Sequence, residues 1–311
     1  MYSSWVKSSI PASLVLTVIL LTGCSSSPVL EELNVAGVHI TGSTSGTEPY
    51  KFLIEDIEES SGLPVTFIDT LEYSVLVQGL LTGQIDVAVL DANNYVKAKA
   101  FIPDLQILGG ISRGPEMLPG YYPIALVRED SSIMELTEVA GKVCSVDQAS
   151  TGTYIWPLVE LNRLGLAQGL DVSKSDVEFV FTGDLMTSVQ ALHAGDCSLA
   201  FVVDTTYDER IPQSDLYTQD EFRIIWTGPV VPGLVVVANN HVPSDTAQAI
   251  SESLISNVNR DLLASLGKCE TSDPKSCLLI NKTAWGLVAV EDSHYDPARE
   301  ACRVLELQDC N

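Results

Sequence analysis

Tyr73-Ser74-Val75-Leu76-Val77-Gln78-Gly79-Leu80-Leu81-Thr82-Gly83-Gln84-Ile85-Asp86-Val87-Ala88-Val89-Leu90 carries the two patterns that decide the fold. Tyr73 to Leu81 reads as a helix, ended by Gly83. Val87-Ala88-Val89-Leu90 is an unbroken apolar run, as a strand buried on both faces of a parallel sheet requires. Upstream, Val35 to Thr41 reads as a strand. Tyr50, Leu53, Ile54 and Ile57 then recur at helical spacing until Gly62 and Pro64 stop them, and Val65 to Ile68 is the next short strand. Downstream, Asn94 to Phe101 is helical and Leu105 to Leu108 extended. Strand and helix alternate, which is βαβ architecture around a parallel sheet.

The alternation then restarts. Tyr122 to Val127 reads as a strand leaving the first unit. Lys142 to Val146, Val177 to Phe181 and Leu199 to Val203 read as strands, separated by helices from Thr151 to Leu164 and from Leu185 to Ala194, closed by Gly165 and Gly195. Leu234 to Ala238 reads as a strand returning to the first unit, and Ser244 to Leu266 as one long helix with Ser244 as its N-cap. There is no low-complexity linker and no exact internal repeat. Two short crossings, near Val127 and near Pro232, suit a hinge. The expected organisation is a leader over 1–23, a tether over 24–34, a first lobe from 35–126 and 232–311, and a second lobe from 127–231.

The leader has one cation, Lys7, an apolar run from Ala12 to Leu21, and then Leu21-Thr22-Gly23-Cys24. A basic start, a short apolar core and small residues at a cleavage point make a signal peptide. The order around Cys24 resembles the bacterial lipobox, which implies cleavage before Cys24, diacylglycerol on its thiol and acylation of the new N-terminus. An ordinary secretory peptide with a chance cysteine is the alternative. Ser25-Ser26-Ser27-Pro28 reads as a flexible tether. The expected location is therefore outside the cytoplasm, held to the membrane by a lipid anchor on Cys24.

Of 311 residues, 46% are apolar, which excludes a disordered chain and leaves enough after the leader for two cores. The formal charge of -24, from 17 basic and 41 acidic side chains, argues against nucleic acid and against a polybasic membrane patch. Beyond Cys24, six cysteines remain: Cys144, Cys197, Cys269, Cys277, Cys302 and Cys310. An even number in an exported chain suggests disulfides. Cys269 with Cys277 and Cys302 with Cys310 would close short loops, whereas Cys144 and Cys197 both open predicted strands of one sheet. Buried free thiols are the alternative, more so for Cys144 and Cys197. No Cys-x-x-Cys occurs and His39, His193, His241 and His294 are scattered, so neither a metal site nor a cofactor is expected.

In open α/β sheets ligands bind beyond the carboxyl ends of strands, where helix N-termini hold anions through free N–H groups. Three such junctions stand out: Asp147-Gln148-Ala149-Ser150-Thr151-Gly152-Thr153-Tyr154, Asp91-Ala92-Asn93-Asn94-Tyr95, and Thr182-Gly183-Asp184. Plain N-capping is the competing reading of each.

In order, these pieces resemble the substrate-binding proteins of phosphate, phosphite and phosphonate ABC transporters. The likeness runs from about Val35 to Asn259. It rests on Tyr73 ahead of Leu80 to Ala88, on Tyr95-Val96-Lys97-Ala98, Asp130-Ser131-Ser132-Ile133, Leu136 through Val143, Ala149-Ser150-Thr151-Gly152, Ser188 to Ala200, and Val231-Pro232-Gly233. The resemblance implies a two-lobed type II periplasmic-binding-protein fold, each lobe a mainly parallel sheet flanked by helices, with the ligand in the cleft between lobes. It further implies a small phosphorus oxyanion held by the Ser150 and Thr151 hydroxyls and the backbone there, closed over by Tyr73, with Tyr95 and Tyr154 as additional contacts. The partners implied are an ABC permease and its ATPase, served by a monomer. Two departures stand out. Gly152 replaces the last serine of the family's Ser-Thr-Ser-Gly pattern, with Thr153 beyond it. Asp184 takes the place of a histidine, and an ionised carboxylate accepts where a histidine can donate. Asp184 then meets a ligand amine, or is protonated against a P–OH, or caps its own helix, or the ligand is not an oxyanion. Asp204, at the end of the next strand, is a further acidic candidate, and an aminoalkyl phosphonate would suit hydroxyls at one end and carboxylates at the other.

An enzyme finds no support: there is no Gly-x-Ser-x-Gly elbow, no His-Glu-x-x-His and no Walker loop. His193 reads as a surface or structural residue. Pyrimidine-forming thiamine biosynthesis proteins share the expected fold but are cytoplasmic, against the leader, and their cysteine-rich motif is missing. Alternative readings are a binding protein for a pyrimidine precursor or small amine, the latter caged by Trp156, Trp226 or Trp285, or a sensor subunit that presents its ligand to a membrane kinase.

Overall fold

The computed structural model describes residue 1 and residues 30–38, 47–70, 72–148, 150–172, 177–281 and 283–306. The leader with Cys24, His39, Ala149 and Cys310 lie outside the described residues. Residues 31–311 form one compact unit.

The chain runs β1 (Leu33–Val38), α1 (Lys51–Ser61), β2 (Val65–Thr70), α2 (Tyr73–Thr82), β3 (Val87–Leu90), α3 (Ala92–Phe101), β4 (Gln106–Ser112), β5 (Gly120–Tyr121) and β6 (Pro123–Arg128). It continues through β7 (Gly141–Ser145), a π-helical turn (Thr151–Ile155) that leads into α4 (Trp156–Arg163), β8 (Val177–Phe181), α5 (Leu185–Ala194), β9 (Leu199–Val203) and β10 (Phe222–Thr227). It closes with β11 (Val231–Pro232), β12 (Val235–Ala238), α6 (Ser244–Asn257), α7 (Arg260–Ser265), β13 (Gly286–Val288) and α8 (Asp296–Leu305).

Two sheets organise these elements. The first has the order β13-β4-β12-β3-β1-β2 and the second β10-β6-β9-β7-β8. β1 is parallel to β2 and β3, and β7 is parallel to β8 and β9, so the βαβ units read from the sequence supply one half of each sheet. Antiparallel strands complete both sheets: β12 lies between β3 and β4 and β13 beyond β4 in the first, and β6 lies between β9 and β10 in the second. All four residues of β3 are buried, as their apolar run requires; a fully buried Val or Leu is worth about 1.5–3 kcal/mol relative to exposure. The first core gathers Leu76, Leu80, Leu90 and Tyr95 beneath β12; the second sheet carries Leu192 and Val202 on one face and Val143 and Phe201 on the other.

The two crossings pair with each other as β5 and β11, with Val231 opposite Tyr121 and Pro232 opposite Gly120. The sequence places the first crossing near Val127, but β6 lies wholly in the second sheet, so the chain crosses about one strand earlier. Gly120 adopts φ 136°, and a Cβ there would stand 2.2 Å from the Val231 carbonyl oxygen. Only glycine permits that approach and that backbone.

The long helix expected from Ser244 to Leu266 is two helices. Asn259 interrupts it in extended backbone and caps α7 by accepting the Leu262 N–H at 2.9 Å. The N-cap of α6 is Pro243 rather than Ser244, which is the first helical residue. β1 starts at Leu33, inside the expected tether, and no helix among the described residues is long and apolar enough to cross a membrane. Cys144–Cys197 and Cys269–Cys277 are disulfides. Cys302 is also disulfide-bonded, and the expected partner Cys310 lies outside the described residues.

Candidate functional site

A cavity of about 520 Å³ opens where strand ends of both sheets meet the crossings. The first sheet supplies Asp91, Ala92 and Asn93 at the start of α3, and Ile111, Ser112 and Arg113 at the end of β4. The second supplies Val146, Ser150 to Thr153, Trp156, Leu185, Val203 and Thr205. Gly120, Tyr121 and Val231 to Leu234 form its floor at the crossings, and Ala298 and Ala301 of α8 reach it from the C-terminal side. Two of the three junctions singled out in the sequence therefore bring residues to one cavity, as helix N-termini at strand ends should, whereas Thr182-Gly183-Asp184 stays off the wall and only the next residue, Leu185, reaches it.

The middle junction is built in detail. Ser150 caps the π-helical turn. Its Oγ accepts the Thr153 N–H at 3.3 Å and the Thr153 hydroxyl at 2.7 Å. With two bonds accepted, its own proton is the group it has left to offer. Ser150 O accepts both the Tyr154 and Ile155 N–H groups, which sets the wide turn. Thr151 and Gly152 open the turn, where backbone N–H groups have no partner one turn back. Thr153 is 2% exposed, and its hydroxyl also accepts from Ser145 Oγ at 3.2 Å and from the Val146 N–H at 3.2 Å. Thr153 therefore fixes the junction to β7 and leaves Ser150 and Thr151 as its outward hydroxyls.

Gly152 has a local cause. A Cβ at this position would lie 2.6 Å from Tyr121 Cε2 and 2.9 Å from Val203 Cγ1. The Tyr121 ring fills the space a serine would need. Burial pushes the Tyr121 hydroxyl up to about 12, with the charges of Asp91 and Asp204 adding to it, so it stays a neutral O–H.

Five of the residues expected at the ligand are not on the cavity wall: Tyr95, Tyr154, Tyr73, Asp184 and Asp204. Tyr95 is fully buried in α3; its hydroxyl donates to Asp292 Oδ1 at 2.5 Å and its ring packs on Tyr295. Its helical phase turns it to the core beneath α8. Tyr154 is buried edge-on against Phe179 and Phe181 of β8. Tyr73, the first residue of α2, packs against the first core, and burial, with the Asp91 charge adding to it, pushes its hydroxyl up to about 12. Asp184 is the N-cap of α5: its Oδ1 accepts the N–H groups of Met186 at 2.8 Å and Thr187 at 3.3 Å, and its side chain is 56% exposed.

Asp204 is already partnered. Its Oδ2 accepts from Arg113 Nη2 at 2.6 Å and its Oδ1 accepts the Tyr122 N–H at 3.1 Å. Arg113 is the residue sequence reading missed. It comes from the first sheet and meets Asp204 of the second, both sides of the pair being under one-fifth exposed (17% and 16%). The Ser112 hydroxyl, fully buried, shapes the loop that carries Arg113 through Gly114 O at 2.7 Å and Met117 O at 2.8 Å. The available signal was position: Arg113 follows the carboxyl end of β4, where ligands bind in open sheets. Tyr121 and Thr205 were missed in the same way.

The tryptophans form no cage. Trp156 lines the cavity, Trp226 packs edge-on against Phe201, and Trp285 donates its indole N–H to Asp261 at 2.6 Å. His193 faces Glu221 at 3.0 Å on the surface of α5. Among the described residues no group of His, Cys, Asp and Glu is placed to hold a metal ion.

Comparison with known proteins gives a consistent result. The family profile described as ABC transporter, phosphonate, periplasmic substrate-binding protein matches residues 38–274. The phosphate-import protein PhnD of Mycolicibacterium smegmatis is 27% identical over 285 residues, spanning 90% of this chain and 88% of that one. A protein of Xanthomonas citri solved with ATP superposes with a TM-score of 0.61 at 15% identity, covering 89% of this chain and 98% of that one. PhnD1 of Prochlorococcus marinus, solved with methylphosphonate, superposes with a TM-score of 0.57 at 15% identity and covers the same shares, 89% and 98%.

Proposed function

Because the chain belongs to the family of periplasmic substrate-binding proteins of phosphonate ABC transporters, we propose that it binds a small phosphorus oxyanion in the cavity between its lobes and presents it to a permease. The family is extracytoplasmic and delivers solutes to ABC importers without transforming them. The observation that carries the ligand reading is the start of the π-helical turn, where Ser150 Oγ has both lone pairs engaged by Thr153 and can only donate outward. A hydroxyl so arranged, beside backbone N–H groups at a helix start, suits an oxyanion. Thr151 adds a second hydroxyl, and Tyr121 a third from the crossing.

Ligand binding in such a cleft favours a closed arrangement of the lobes about β5 and β11, and the closed form is the one the permease receives. The leader is read as a lipoprotein signal, so the protein works on a leash attached at Cys24.

Isothermal titration of the full chain, purified in mild detergent, against phosphate, phosphite and methylphosphonate tests the reading. A saturable response to at least one is expected. Ser150→Ala and Thr151→Ala should each weaken it by about 1–3 kcal/mol, the cost of one lost buried hydrogen bond; Thr151→Ala should unfold near the parent's midpoint and Ser150→Ala somewhat below it, because it also removes the cap of the turn. Unchanged affinity in both variants rejects the site.

A further inference from the structure

Asp204 sits at the cavity without reaching it. Its two neighbours, Val203 and Thr205, line the wall, and Asp204 itself does not; Arg113 lines the wall in its place. The Arg113 guanidinium covers the carboxylate at 2.6 Å, and the Tyr122 N–H takes the other oxygen at 3.1 Å. Both carboxylate oxygens are thus satisfied from the protein. Arg113 Nε, by contrast, is a buried donor without a hydrogen-bond partner. Of the remaining acidic candidates, Asp184 caps α5 away from the wall, and Asp91 accepts from Asn94 with both oxygens, at 2.8 Å from its N–H and 3.0 Å from its amide.

We infer that the Arg113–Asp204 pair sets ligand class: the cleft takes a phosphorus oxyanion with an uncharged or absent substituent and rejects one bearing an amine. The inference rests on the oxyanion reading above. An ammonium group entering beside Arg113 meets a cation with a spare donor, and the carboxylate that would receive it is already paired. To be bound there it must break an ion pair with little access to solvent, which leaves the guanidinium without its counter-ion. The same pair ties a loop of the first sheet to a strand end of the second, so an amine would also act against one of the contacts between the two sheets at the cleft.

The test uses two ligands of one shape. Propylphosphonate and 2-aminoethylphosphonate share a head group and chain length and differ in a terminal methyl or ammonium. The full chain should bind propylphosphonate at least tenfold tighter. Arg113→Gln uncovers Asp204 and should shift the ratio at least tenfold towards the aminated compound, and Arg113→Gln with Asp204→Asn should remove that gain. Wild-type preference for 2-aminoethylphosphonate overturns the inference, as does a ratio that Arg113→Gln leaves unchanged. If these outcomes come with Ser150-dependent binding of propylphosphonate, only the Arg113 inference falls. If neither compound nor phosphate binds, the oxyanion reading falls and this inference with it.

Discussion

Gly152 shows how one position is set by a residue 31 places away in the chain. The resemblance calls for a serine there, and the Tyr121 ring, held at the crossing, leaves no room for it. An aromatic ring in a packed wall cannot swing aside as the end of a lysine can, so overpacking costs about 1–3 kcal/mol. Gly152→Ser should lower stability by that amount in denaturant titration. In a Tyr121→Ala background the same change should cost clearly less, so that the two effects are far from additive; additive effects would mean the ring is not the main obstacle. Arg113 makes the complementary case. Its place after a strand end marks it only as a cavity candidate, because its role depends on a carboxylate 91 residues further on.

The element that ties the most together is the C-terminal segment around α8. Tyr295 and Ala298 join the first core, while Ala301 and Leu305 pack with Trp156 and Val231. His294 Nε2 donates to Pro119 O at 2.7 Å, just ahead of β5. Arg299 binds Asp292 Oδ1 at 2.6 Å, the same oxygen that accepts from Tyr95. Burial pushes the Asp292 carboxyl up, but the hydrogen bonds from Tyr95 and Arg299 outweigh it and hold it below the usual carboxylate range. A carboxylate depressed in the folded state stabilises fully above its unfolded pKa, and that stability is lost as pH falls through the folded value. Stability from this cluster is therefore full near neutrality and lost in acid, below the usual carboxylate range. Asp292→Asn should flatten the acid limb of the stability–pH curve relative to the parent, read by thermal unfolding between neutral and strongly acidic buffers. An unchanged acid limb would show that the segment is held by its apolar face alone.

The described residues form two sheets joined by two crossings that pair as β5 and β11, with the cavity laid over them. On the proposed reading, a small anion held at this pivot would bias a movement of both lobes. The net charge of -24 opposes electrostatic attachment to anionic surfaces, so the membrane attachment proposed above would rest on lipid. One acyl chain binds marginally and several hold firmly. In cells expressing the full chain, the protein should fractionate with membranes, and Cys24→Ser should release it to the soluble fraction or leave the leader uncut. Wild-type protein recovered wholly in the soluble fraction would end the lipoprotein reading.

The sequence by itself determined most helices, the parallel strands and the two junctions at Asp91 and Ser150 that meet at the cavity, because each is a local pattern: an apolar run, a glycine stop, a hydroxyl or carboxylate ahead of a helix; the Cys144–Cys197 pairing, which it left open beside free thiols, needed the sheet that brings β7 beside β9. Only the tertiary structure decided which side chains face that cavity. Neighbouring helical positions differ by about 100° in direction, so the choice between Asn93 and Tyr95 as wall residue turns on how α3 packs against α8. The antiparallel placing of β6 and β12, and with it the meeting of Arg113 with Asp204, depends on contacts between distant parts of the chain that no local spacing encodes.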